Sequence, residues 1–114
     1  MSQDFFERRL PAIVVQRIDD FFAQHGSIAF DVEGQAWTFE FGNVEIVRPG
    51  FEDAADLRLH FTEAGFVGFV DGTMDPVEAI TAGHVKGEGD FDLLQSFGVL
   101  LMPFQRSVGW EAGP

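Results

Sequence analysis

Three histidines, His25, His60 and His84, are the residues of this chain best suited to bind a metal or move a proton near neutral pH. They lie far apart and lack the short spacing of a ligand pair, so they read as surface or strand-end residues. The acids near His84 are a second candidate. Glu88, Asp90 and Asp92 follow it closely, and two carboxylates can share acid and base work when burial separates their proton affinities. Asp90, however, already suits the cap of a helix, and Asp92 then falls in its first turn, where the helix dipole favours negative charge. Ser27 and Ser96 lack the G-x-S-x-G frame of a nucleophile elbow. Gly87-Glu88-Gly89 lacks the third glycine of a dinucleotide loop. With 0 cysteines there is no thiol nucleophile, thiolate site or disulfide scaffold. No catalytic residue, metal site or cofactor is expected.

The remaining signal is apolar. The C-terminal segment carries a wide stripe of Leu93, Leu94, Phe97, Leu100, Leu101 and Phe104, interrupted by Gly98 at a cost of about 1 kcal/mol relative to Ala. Gly87 and Gly89 share one face of the strand before it. Small residues opposite a Phe-rich helix either leave room for a ligand or allow close helix–sheet packing; spacing alone does not choose. The 14 Phe and 2 Trp, with 0 Tyr, carry the same ambiguity: a filled core or the lining of an apolar cavity.

These residues need elements to position them. Leu10, Ile13, Val14, Ile18, Phe21 and Phe22 follow the spacing of one helical face, with Pro11 at the first helical position and Gly26 a stop. Ile28, Phe30 and Val32 then alternate as a strand, and Glu33-Gly34 is a turn. Trp37, Phe39 and Phe41 form the next strand. Gly42-Asn43 predicts a two-residue hairpin leading to a third strand with Val44 and Ile46. After a loop at Pro49-Gly50, Leu57, Leu59 and Phe61 make a fourth strand. Thr62 caps a helix bearing Phe66, Val67, Phe69 and Val70 that ends at Gly72. Asp75, Pro76 and Glu78 have the order of a capping box for a second short helix. A fifth strand spans 85–89, and Asp90 caps the last helix, with Pro103 just beyond it. The prediction is one α+β domain over 1–114: a five-stranded sheet with helices on one face.

Composition narrows the function. The chain has 114 residues, 46% apolar and 23% charged, as a single globular domain has. A net charge of −12 repels phosphate backbones and gains nothing from anionic bilayers, so no nucleic-acid partner and at most transient membrane contact are expected. No apolar run is long enough to span a bilayer, and neither a secretory signal nor a peroxisomal address is read, so the cytoplasm is the expected location.

The C-terminal half resembles a known family. Residues 72–90 are similar to the signature of the sterol carrier protein 2 (SCP-2) domain: a Gly, a Pro-led helix, a second Gly, a strand with a Lys, then Gly-Asp opening the last helix. Residues 55–59 resemble that family's strand before its cavity helix, and Phe30 with Trp37 its meander aromatics. The likeness extends over about 10–102. It implies helices and sheet enclosing an apolar tunnel for sterols, fatty acyl chains or other lipids, with no catalytic residue to transfer. By position, the implied wall is Phe66, Phe69 and Val70, then Ile80, then Phe97, Leu100 and Leu101. Trp37, Phe39 and Phe41 form the implied floor. Exchange of a carried ligand requires an opening, for which the segment from Phe97 to Phe104, with Trp110, is the candidate lid. The chain departs from the family at Gly87 and at Phe97-Gly98, where aliphatic residues are usual. Acidic stand-alone members are bacterial in type, and some present isoprenoid-quinone precursors to enzymes.

The expected function is therefore a lipid carrier. The alternative is an interaction module with a closed cavity, docking on a lipid- or quinone-pathway enzyme or on itself through exposed C-terminal aromatics. On the carrier reading, Phe97→Asp is expected to weaken lipid binding and leave the fold detectable by circular dichroism.

Overall fold

The computed structural model describes residues 2–74 and 76–105, and the side chains of 3–74 and 78–101. The N-terminal helical run begins with α1 (Ser2–Asp4), widens into a π-helical turn (Phe5–Arg9) and continues as α2 (Leu10–Gln16). Pro11 thus stands in the first turn of α2, as expected, with the π turn running directly into it. A proline there lacks an N–H and crowds the preceding turn, and the wider π turn accommodates it. Arg17 then leaves the helical region (φ −121°, ψ 42°) and separates α3 (Ile18–Phe22) from α2. This break corrects the single helical face expected over 10–22. Leu10, Ile13, Val14 and Phe21 are buried, while Ile18 and Phe22 turn outward to 42% and 53% exposure.

Strands β1 (Gly26–Val32) and β2 (Gln35–Phe41) form an antiparallel hairpin. Its turn places Glu33 and Gly34 at φ 49° and 93°, the left-handed pair a tight hairpin requires. The Gly42-Asn43 hairpin does not form. The Asn43 side chain instead accepts the Glu45 N–H at 3.0 Å, an Asx turn that competes with strand pairing. Val44 is 93% exposed, and β3 begins later (Val47–Pro49), with Arg48 opposite Thr38.

The chain then crosses the sheet face opposite the helices. Thr38 Oγ1 donates to Gly50 O at 2.8 Å and accepts the Glu52 N–H at 3.1 Å, and Phe51 stacks on His60. This crossing sets β4 (Leu57–Phe61) parallel to β1, and β5 (Val85–Gly89) pairs antiparallel to β4. The strand order is β3-β2-β1-β4-β5.

Helix α4 (Glu63–Asp71) is capped as expected: Thr62 Oγ1 accepts the Gly65 N–H at 2.9 Å, and Gly72 ends it in the left-handed region. Helix α5 (Pro76–Thr81) follows; its expected cap, Asp75, lies outside the described residues. Asp90 Oδ1 accepts the Asp92 N–H at the start of α6 (Asp92–Gln105), which runs through Pro103 instead of stopping before it. The alternate residues Ile28, Phe30 and Val32, Trp37, Phe39 and Phe41, and Leu57, Leu59 and Phe61 are buried in one core with the helices. Among the described residues Thr38 is the one buried polar side chain besides that core.

Candidate functional site

The interior between sheet and helices is a continuous network of rings. Phe97, on α6, stands at one centre of it, with ring centroids 5.2 Å from Phe30, 5.1 Å from Phe39 and 6.1 Å from Phe69. Phe66, on α4, lies 5.4 Å from both Phe5 and Phe6 and 5.5 Å from Phe61. Phe6 stacks on Trp37 and touches Phe30, which joins the two groups. Phe41 packs edge-on against Phe39 at 4.8 Å. Val70, Leu100 and Leu101 are buried in the same cluster.

Nine of the expected lining residues are thus brought together. Ile80 is not among them. It is 41% exposed, because the inward position of short α5 is taken by Ala79. The side chain of Phe104 and the whole of Trp110 lie outside the described residues. Two residues were missed from the sequence: Phe5 and Phe6, both fully buried on the π turn. Their adjacency was the available signal, since paired Phe in a chain start otherwise rich in charge has no reason to stay exposed.

Centroid distances of 5–6 Å are ordinary ring contact and leave no lumen between these rings. A cleft of about 130 Å³ lies beside the network, between the π turn and α4, lined by Phe5, Arg9, Phe66, Val67, Val70 and Asp71. It would hold about four waters at ~30 Å³ each, well short of a lipid. A groove of about 550 Å³ lies on the opposite sheet face, but Asp53, Arg58, His60, Lys86 and Glu88 line it and make it unsuited to an apolar chain.

The glycines of β5 do not open a cavity. A Cβ on Gly87 would meet Leu59 Cδ2 at 2.8 Å and the Phe91 ring at 3.0 Å, and Gly89 lies against the backbone of Asp56 and Leu57. Close packing is the reading the structure selects. Gly98 differs: no atom lies within 4 Å of a Cβ built there. Gly98→Ala is therefore expected to stabilise the protein by about 0.5–1 kcal/mol through the helix backbone alone. A thermal melt checks this, and a lower Tm would show that α6 needs glycine at that point.

The polar candidates are dispersed. His60 Nδ1 lies 2.9 Å from Asp31 Oδ2, across the β1–β4 register. His84 Nδ1 is 3.4 Å from the capping Thr62 hydroxyl. Glu88 pairs with Arg58 at 3.6 Å, and Asp90 caps α6. His84 and Asp90 lie just beyond opposite ends of β5, roughly 20 Å apart at ~3.3 Å per residue. Ser27 and Asp56 clamp the starts of β1 and β4: Asp56 Oδ2 accepts the Ser27 N–H at 3.0 Å, and Ser27 Oγ accepts the Asp56 N–H at 3.2 Å. No group of three or more His, Asp or Glu among the described residues is placed to hold a metal ion.

Helices sealing the apolar face of a mixed five-stranded sheet define an α+β domain with a ring-lined, uncharged interior. The sequence names the family: residues 19–102 match the SCP-2 sterol transfer family, and the chain belongs to it. Solved structures repeat the fold. Sterol carrier protein 2 from Yarrowia lipolytica, in its apo form, superposes with TM-score 0.66 at 18% identity, over 90% of this chain and 84% of that one. A UbiJ-SCP2 ubiquinone synthesis protein gives 0.61 at 18%, over 90% and 84%. The sec-alkylsulfatase Pisa1 from Pseudomonas sp. gives 0.63 at 20% identity; the match covers 72% of this chain and only 14% of the sulfatase. No curated protein sequence matches the chain. Among the described residues no helix is long and apolar enough to cross a membrane.

Proposed function

We propose that this chain is a non-catalytic carrier that holds a lipid between its helices and sheet. The carrying observation is the ring network itself. Phe5, Phe6, Trp37, Phe39, Phe66, Phe69 and Phe97 converge between the helices and the sheet, with no charged side chain among them. An apolar chain transferred there gains about 0.8 kcal/mol per buried methylene and needs no polar catalyst. The rings in contact describe a closed form, so uptake exchanges ring–ring for ring–lipid contacts while a helix moves outward. The π turn and α6 are the covers to move. Sterol, fatty acyl and isoprenoid-quinone lipids are the candidate cargoes. The fold neighbours named for sterol carriage and ubiquinone synthesis support the first and last of these. A cytoplasmic location belongs to the same proposal.

Mass spectrometry of the purified protein, native and after organic extraction, tests the reading. The expected result is a discrete lipid near one per chain, or uptake of one added sterol, fatty acid or quinone. A clean apo mass with no uptake would overturn it in favour of a docking module. That second reading has one observation behind it. Val15, Ile18, Phe22 and Val44 are all exposed, and Phe22 reaches Gly42, next to the Val44 loop. With Asp19 and Glu45 beside them, and Asp20 already paired with Arg17 at 2.7 Å, this corner fits an apolar, basic-rimmed surface of a pathway enzyme. Phe97, by contrast, is buried and is not an exposed docking aromatic.

A further inference from the structure

Among the described residues, Trp37 holds the one buried side-chain nitrogen or oxygen without a hydrogen-bond partner. The side chain is 8% exposed, and its indole Nε1 is buried with no hydrogen-bond partner among the described residues. Buried indole N–H groups ordinarily find an acceptor, and an orphan calls for a reason. Phe6 covers one face of the indole, with centroids 5.5 Å apart at 21°, and the N–H points along the ring plane.

What covers Trp37 is also the least regular helix in the fold. Phe6 belongs to the π turn Phe5–Arg9, and such turns inside helical runs concentrate at functional positions. The same turn bounds the 130 Å³ cleft through Phe5 and Arg9. Moving Phe5 and Phe6 outward would open that cleft into the ring network that holds Trp37.

We infer that the Trp37 indole N–H is the polar anchor of the bound lipid, and that the lipid presents to it an uncharged acceptor oxygen, a carbonyl or hydroxyl. The inference rests on the carrier reading. A carboxylate is disfavoured because no cation belongs to the buried cluster. Arg9 is exposed at the cleft and already lies over the Phe5 ring, 5.6 Å from its centroid. Trp37 therefore sets which lipids are preferred, while the rings supply most of the affinity.

The test measures binding of decylubiquinone, cholesterol, palmitic acid and hexadecane to the full chain and to its Trp37→Phe variant. Phe keeps a ring and removes the donor. The preference for quinone and sterol over hexadecane should fall about three- to tenfold in the variant, the worth of one neutral hydrogen bond, since the smaller ring weakens all the probes alike. In the wild-type protein carrying ¹⁵N-tryptophan, one of the two indole N–H signals should move downfield with quinone or cholesterol and stay with hexadecane. Should the variant not fold, that wild-type signal, assigned by its proximity to the Phe6 ring, decides alone. Lipid binding with unchanged preferences and unmoved indoles would overturn the anchor and leave the carrier standing. Palmitate preferred through Trp37 would overturn the uncharged acceptor. No binding of any probe to either protein would remove the carrier reading and the anchor with it.

Discussion

Phe97→Ala is expected to lower stability by about 3–5 kcal/mol, the range for deleting a buried aromatic ring. In a domain of this size that is a Tm loss of roughly 10–20 °C. The ring is fully buried between Phe30, Phe39 and Phe69, and its removal leaves a void that α6 and β2 can only partly collapse. The informative part is the sign of the binding change. If the rings occupy the ligand's place, the truncated protein should take up apolar ligand faster than wild type, and ligand should recover part of the lost Tm by mass action. Thermal melts with and without added lipid check both. A large Tm loss that no lipid restores would show that Phe97 is core and nothing more. Phe97→Asp is no longer a useful probe. It would place a carboxylate among rings with no partner, so unfolding is expected in place of the intact fold the sequence suggested.

The alternation at Ile28, Phe30 and Val32 and at Leu57, Leu59 and Phe61 was sufficient to place two strands, because a half-buried strand repeats every two residues. Thr62, Gly72 and Asp90 marked helix ends by local hydrogen bonding, and all three act as read. Local rules failed where two of them competed. Gly42-Asn43 has hairpin chemistry, but Asn43 spends its side chain on an Asx turn. The face over 10–22 fits one helix, but the conformation of Arg17 breaks it and exposes Phe22. For the site, helical and strand periods identified which residues point inward. Whether the inward side chains touch depends on how far apart sheet and helices stand, a distance no spacing encodes. The Trp37 orphan is of the same kind: an unpaired donor becomes visible only when its surroundings are known.

Gly89→Ala is expected to be the most damaging single methyl in the protein, at about 3 kcal/mol or more. Two causes add. The residue sits at φ +117°, a conformation that costs a side-chain-bearing residue ~1–3 kcal/mol. Its Cβ would also collide with the Asp56 carbonyl oxygen and stand 3.0 Å from Leu57 Cα, both backbone, so no side chain can move aside. The carbonyl it would displace accepts the Asp90 N–H at 2.9 Å, and Asp90 in turn caps α6. The damage therefore passes from the end of β5 into the helix that carries Phe97. Gly87→Ala on the same strand is the control: its nearest contacts are Leu59 Cδ2 and the half-exposed Phe91 ring, ends of side chains that can shift. Denaturation of both variants should show Gly89→Ala far below Gly87→Ala. Equal losses would mean that the β5–α6 junction yields. In that case α6 is not fixed at its N-terminal end, and opening the core there would compete with opening it at the π turn above Trp37.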